Sequence, residues 1–181
     1  MGMSVHAYTF HPRDSPSSRA DHSYSPPNLG DPDGSLPARW FSGSSQSDLH
    51  AFLGSGLDLL VIALPLTPQT RNLISKPEFA VLAKRRTFVS NVGRGPIVDP
   101  DALYEALEGE TIRGAALDVT EPEPLPEGHR LWGAKNIIIT PHVSGASTAY
   151  HQRVFEILKI NLQKLSEGKE PINKVNRKAG Y

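Results

Sequence analysis

The run Leu57-Asp-Leu-Leu-Val-Ile-Ala-Leu64 constrains this chain more than any other stretch. It is bounded by Gly54 and Gly56 on one side and Pro65 on the other, and it is far too short to span a bilayer. A short, nearly continuous apolar run between breakers predicts a parallel strand buried on both faces. Parallel strands cannot be joined by tight hairpins; each needs a crossover, usually a helix. A chain organised around such a strand is therefore expected to be α/β.

The flanking segments carry the same alternation. Val5-His-Ala-Tyr-Thr9 reads as a strand close to the first residue. Residues 12–48 are rich in Pro, Ser, Gly and Asp without apolar periodicity, and read as a long loop whose one apolar knot is Trp40-Phe41. A short helix follows from Ser47, with Leu49, Phe52 and Leu53 on one face. Thr67-Pro68 starts a brief helical turn, and Ser75-Lys-Pro-Glu78 is a capping box opening a helix through Lys84. Thr87 to Val92 is the next strand, and Asp99-Pro100 caps and opens the helix that stops at Gly109. Gly114 to Val119 and Asn136 to Thr140 are two more strands. From Ser147 to Glu167, Val154, Ile157, Leu158, Leu162 and Leu165 recur at helical spacing, and Gly168 follows. The whole predicts one dinucleotide-binding type of domain over residues 1–181: a Rossmann-like parallel sheet with helices on both faces, then a C-terminal helix and tail over 147–181.

Composition narrows the function. Nineteen lysines and arginines balance nineteen aspartates and glutamates, which removes the electrostatic case for nucleic acid or an anionic membrane. With no cysteine, disulfides, thiolate metal sites and cysteine nucleophiles are excluded. No basic segment followed by an apolar one opens the chain, so a cytoplasmic protein is the expectation.

Three chemically active residues follow three successive strands. Arg94 lies in the turn Asn91-Val-Gly-Arg-Gly-Pro96, Glu123 a few residues beyond the next strand, and His142 just past the one after. In open parallel sheets, ligands bind at the carboxyl ends of strands. Neighbouring strands are about 4.8 Å apart, so side chains of this length can meet. A carboxylate beside an imidazole favours and orients its protonated form. Such an imidazolium can give a proton to a carbonyl oxygen and recover it from an alcohol. An arginine offers a planar fork of donors for a substrate carboxylate. Taken singly, each has a plainer reading, as a surface arginine, a solvated turn carboxylate and a loop histidine bonded to backbone. Their succession on consecutive strand ends favours the joint one.

The segments Asn91 to Asp99, Gly114 to Pro126, Thr140 to Ser147 and Leu64 to Ile74 closely resemble, in order and spacing, four motifs of the D-isomer-specific 2-hydroxyacid dehydrogenases. The resemblance covers roughly residues 57–165. It implies Arg94 as the substrate-binding arginine, His142 as the acid/base and Glu123 as its partner. Glu121 also precedes a proline, but the family's glutamate stands five residues after an aspartate, which selects Glu123. It further implies that Asp118 accepts from the nicotinamide carboxamide, with Leu64, Pro65, Val92, Gly93, Ser144 and Gly145 lining an NAD or NADP cofactor. Members usually dimerise through the cofactor domain. The reaction implied is hydride transfer between NAD(P)H and a small 2-oxo or 2-hydroxy acid such as glyoxylate or hydroxypyruvate. Two rival readings are an NAD(H)-responsive scaffold like the family's co-repressor relatives, and an inert fragment.

The family's G-x-G-x-x-G phosphate loop has no counterpart in this sequence. The expectation is an N-terminally truncated cofactor domain lacking its first, central strand, its phosphate loop and the substrate domain. Where the second strand of an NAD-using member carries an acidic residue, this chain has Thr9, followed by His11 and Arg13, which leans toward the 2′-phosphate of NADP. The 181-residue chain is accordingly expected to bind nicotinamide cofactor weakly or not at all; a submicromolar dissociation constant by calorimetry would contradict this.

Overall fold

The computed structural model describes residues 2–21, 23–26 and 29–175. The chain divides into two compact units, Met1–Phe52 with Ala146–Tyr181, and Leu53–Gly145.

The second unit holds the strand that constrained the fold. β3 (Leu59–Ile62), β4 (Phe88–Asn91), β5 (Gly114–Leu117) and β6 (Ile137–Ile139) form a four-stranded sheet in that order, every pair parallel. Register is continuous across it: Leu60 pairs with Val89, Val89 with Ala115 and Ala115 with Ile137. The pleat therefore aligns one face along Leu60, Ile62, Val89, Asn91, Ala115 and Leu117, all of them buried. The helices α3 (Lys76–Leu82) and α4 (Pro100–Glu108) supply Phe79, Leu82, Leu103, Ala106 and Leu107 to the same core. The opposite face differs from the reading of a strand covered on both sides. Leu59, Val61 and Ile138 are 42%, 55% and 61% exposed.

Both helices start as the sequence dictates. The Ser75 N–H donates to Glu78 Oε2 (3.0 Å), half of the capping box. Asp99 Oδ1 accepts from the N–H groups of Asp101 and Ala102 (3.0 and 3.1 Å), with Pro100 in the first turn. The Ser75 hydroxyl donates to Asp99 Oδ2 (2.9 Å), which ties the two helix starts together.

In the first unit, β1 (Val5–Thr9) pairs in parallel with β2 (Pro37–Ser42). The stretch 12–48, read as a loop, thus contains a strand and a four-residue helix, α1 (Pro16–Arg19). Pro37, Arg39 and Ser42 break the apolar pattern, so only the pairing with β1 reveals the strand. Its Phe41 ring lies 5.6 Å from Phe52 of α2 (Gln46–Leu53), and Tyr8 stacks on Phe52 at 5.3 Å. The Tyr24 hydroxyl, in the same stretch, donates to Glu156 on α5 (Tyr150–Ser166). Residues 176–181 of the expected tail lie outside the described residues. Among the described residues no helix is long and apolar enough to cross a membrane.

Removing the cap of α4 isolates its contribution. Asp99→Ala is expected to destabilise the protein by about 1–2 kcal/mol in urea denaturation, and Asp99→Ser by much less, since Ser is itself a strong N-cap residue.

Candidate active site

Parallel register brings the carboxyl ends of β4, β5 and β6 to one edge, and each tip is shaped by a polar residue at or just past the strand end. At β4 this is Asn91, fully buried. Its Oδ1 accepts from the Gly93 N–H (3.1 Å), and its Nδ2 donates to the Arg94 carbonyl (3.0 Å). The turn therefore closes on its own side chain. Gly93 lies so near the following loop of β3 that a Cβ there would sit 2.8 Å from the Leu64 carbonyl oxygen. A Cβ on Gly95 would sit 1.8 Å from the Thr120 carbonyl oxygen, so only glycine lets this turn seat against the tip of β5. Arg94 is exposed, and its Nη1 donates to the Gly93 carbonyl (2.7 Å).

Past β5, the Thr120 N–H donates to Glu123 Oε2 (3.3 Å) and its hydroxyl to the Pro122 carbonyl (2.9 Å). The loop folds back and carries Glu123 to the tip of β6. There Glu123 Oε1 meets His142 Nδ1 at 2.6 Å, the geometry of a charge-assisted hydrogen bond. Glu121 remains exposed to solvent.

Asp118 holds the tip of β6. Its Oδ1 accepts from the Thr140 hydroxyl (2.6 Å) and the Val143 N–H (2.9 Å), and its Oδ2 from the Ser144 N–H (2.7 Å). The Ser144 and Thr140 hydroxyls, followed by these backbone N–H groups, hold the Asp118 carboxyl far below the usual carboxylate range.

Beside the Glu123–His142 pair opens a cavity of about 520 Å³, whose walls include Thr120, Leu125, Trp132, Ile139 and Pro141. The Trp132 indole N–H donates to the Pro126 carbonyl (3.0 Å), which sets the ring at the cavity rather than in the core. A smaller cleft of about 180 Å³ runs over Val92, Ala116, Ile138 and Val143, with Asp118 and Ser144 among its walls. An apolar floor with polar groups at its margin suits an aromatic ring bearing an amide.

The structure thus brings two of the three candidate residues into direct contact. Arg94 occupies the neighbouring tip but is not among the residues lining the larger cavity. In the first unit, Thr9 Oγ1 donates to the His11 carbonyl (2.7 Å) and Arg13 Nη1 to the Ser18 carbonyl (2.6 Å). Sequence reasoning passed over Asn91, Thr120 and Thr140 as groups that shape the site. The available signal was a polar side chain at the end of a run otherwise apolar.

Residues 40–144, more than half of the chain, match the family model described as D-isomer specific 2-hydroxyacid dehydrogenase, NAD binding domain. The glyoxylate reductase of Aeropyrum pernix is 43% identical over 120 residues, covering 66% of this chain and 36% of that protein. A D-isomer specific 2-hydroxyacid dehydrogenase from Xanthobacter autotrophicus, solved with NADPH and MES, superposes with a TM-score of 0.78 at 31% identity, over 99% of this chain and 64% of that one. An NADPH-dependent glyoxylate/hydroxypyruvate reductase from Sinorhizobium meliloti, solved with NADP and sulfate, gives 0.75 at 27% identity, over 99% and 50%. The chain spans less than half the length of the curated relatives it matches.

The electrostatics of Asp118 carry a pH signature. A carboxyl depressed in the folded protein stabilises it above the ordinary carboxylate pKa of about 3.9, and that contribution drains as pH falls below this value toward the folded pKa. Asp118→Asn should therefore be less stable than the native chain at pH 7, and the gap should narrow as urea titrations move below about pH 4.

Proposed function

Since this chain belongs to the D-isomer-specific 2-hydroxyacid dehydrogenase family through its NAD-binding domain, we propose that it is the cofactor-domain portion of an NAD(P)-dependent reductase of small 2-oxo acids. The observation that carries this reading is the 2.6 Å contact between His142 and Glu123 at the carboxyl edge of a parallel sheet. Relatives named glyoxylate reductase and glyoxylate/hydroxypyruvate reductase support glyoxylate or hydroxypyruvate as substrate.

In this reading Glu123 engages Nδ1 and leaves Nε2 of His142 to exchange a proton with the substrate oxygen. When the 2-oxo acid is reduced, the proton from His142 completes the new hydroxyl; in the reverse direction the same nitrogen takes it back. Arg94 binds the substrate carboxylate through its guanidinium. A bound nicotinamide supplies or accepts the hydride at C2 of the substrate.

The residues near β3 to β6 fit the nicotinamide end of that cofactor. Val92, Asp118 and Ser144 line the smaller cleft, and Leu64, Pro65, Gly93 and Gly145 belong to the loops at the same strand ends. Thr9 at the end of β1, with His11 and Arg13 beyond, favours NADP over NAD, in line with the NADPH and NADP complexes of the two solved relatives. A cytoplasmic homodimer belongs to the same proposal, carried by the family resemblance.

The test, on the full-length protein of which this chain is proposed to be a portion, is oxidation of NADPH by glyoxylate and by hydroxypyruvate, with NADH as comparison. Loss of a general acid/base costs about 10²–10⁴ in rate, so His142→Ala should fall by that factor and Glu123→Gln by a smaller one. Equal rates for His142→Ala and the native protein would remove the histidine from the chemistry.

A further inference from the structure

We propose that Asp118 and Thr140 form a clamp that sets the backbone turn carrying His142, so that both are positioning residues for the Glu123–His142 pair. The inference rests on the reading of His142 as the proton-transfer group, and deepens it.

β6 ends at Ile139, and the chain turns just beyond it. His142 then adopts φ +54°, in the left-handed region that a non-glycine residue rarely enters. Such a conformation persists where its surroundings over-determine it. Here they do so through Asp118. The Asp118 carbonyl accepts from the His142 N–H (2.9 Å), which also reaches the Thr140 carbonyl (3.0 Å). The Asp118 carboxylate grips the turn on both sides of the histidine, through the Thr140 hydroxyl before it and the Val143 and Ser144 N–H groups after it. Asp118 itself is anchored, because its N–H donates to the Asn91 carbonyl (3.0 Å) and its side chain is buried. Thr140 is anchored from the other direction, with its N–H on the Leu117 carbonyl (2.9 Å).

The clamp therefore ties an exposed histidine to the sheet interior. Most of the carboxylate's acceptor capacity is used inside the protein, which makes the Asp118 side chain first a holder of the turn. An amide at this position would present a donor where donors already converge. Thr140 is an exposed residue, whereas Asp118 is buried. An isosteric change at Thr140 therefore removes one hydrogen bond without opening the core.

The test uses the 181-residue chain and needs no turnover. Amide hydrogen exchange is followed at Val143 and Ser144, with Val89 in β4 as the internal control. The His142 ring nitrogens are followed by ¹⁵N NMR, with Glu123→Gln identifying the signal of the paired Nδ1. In Thr140→Val, exchange at Val143 and Ser144 should rise at least tenfold, and the paired Nδ1 signal should be lost, while Val89 keeps its protection. Thr140→Ser should restore both. Asp118→Asn should reproduce the valine result more strongly. The clamp is overturned if Thr140→Val leaves the paired Nδ1 signal and the two amides unchanged. It is equally overturned if protection falls uniformly, Val89 included, with the pairing intact, since that marks a purely structural contact. A retained clamp alongside an unaffected His142→Ala turnover would instead reject the catalytic reading and leave the clamp standing.

Discussion

Continuous parallel register from β3 to β6 is the constraint on which the site depends. Parallel pairing points every strand the same way, so the residues after Asn91, Leu117 and Ile139 emerge on one edge, a strand spacing or two apart. No single side chain could impose this proximity. It follows from short crossovers that pack α3 and α4 on the Leu60–Val89–Ala115 face, and from a pleat that keeps that face apolar. A slip of one residue in any strand would exchange the faces and send the tips apart.

Much of this was legible from the residues themselves. The apolar run at Leu57, the capping signals at Ser75 and Asp99, and the glycines around Arg94 each pointed to the element that forms. Local rules suffice where the determinant is local. They fail for β2, whose identity depends on a partner strand thirty residues away in sequence, and whose Pro37 and Arg39 read as loop. They fail again for the exposed face bearing Leu59, Val61 and Ile138, because an apolar side chain states a preference for burial and not the presence of a cover.

The site was legible in its charged members and opaque in its neutral ones. His142 and Glu123 stood out because their chemistry is rare at strand ends, and they do meet at 2.6 Å. Asn91, Thr120 and Thr140 are common loop residues, and nothing in their identity announces that the first two close their own turns by hydrogen bonds while the third reaches across to Asp118. Arg94 shows the limit of reading function from a strand end. The turn places its backbone closely, through the contact of Gly95 with Thr120, yet its long side chain folds onto the Gly93 carbonyl.

A division of labour connects these observations. Asn91 is the last residue of β4 and Asp118 the first beyond β5, and the two are joined by the hydrogen bond from Asp118 N–H to the Asn91 carbonyl. Each buries its side chain and turns it toward the next few backbone groups of a tip. Burial of an unpaired amide or carboxylate is costly, so each is held to the geometry that satisfies it. Arg94 and His142 differ in being exposed, the one bonded to the Gly93 carbonyl and the other to Glu123. The buried polar groups are thus interior, the proposed reactive groups peripheral, and the sheet edge is where the first kind holds the turns that carry the second.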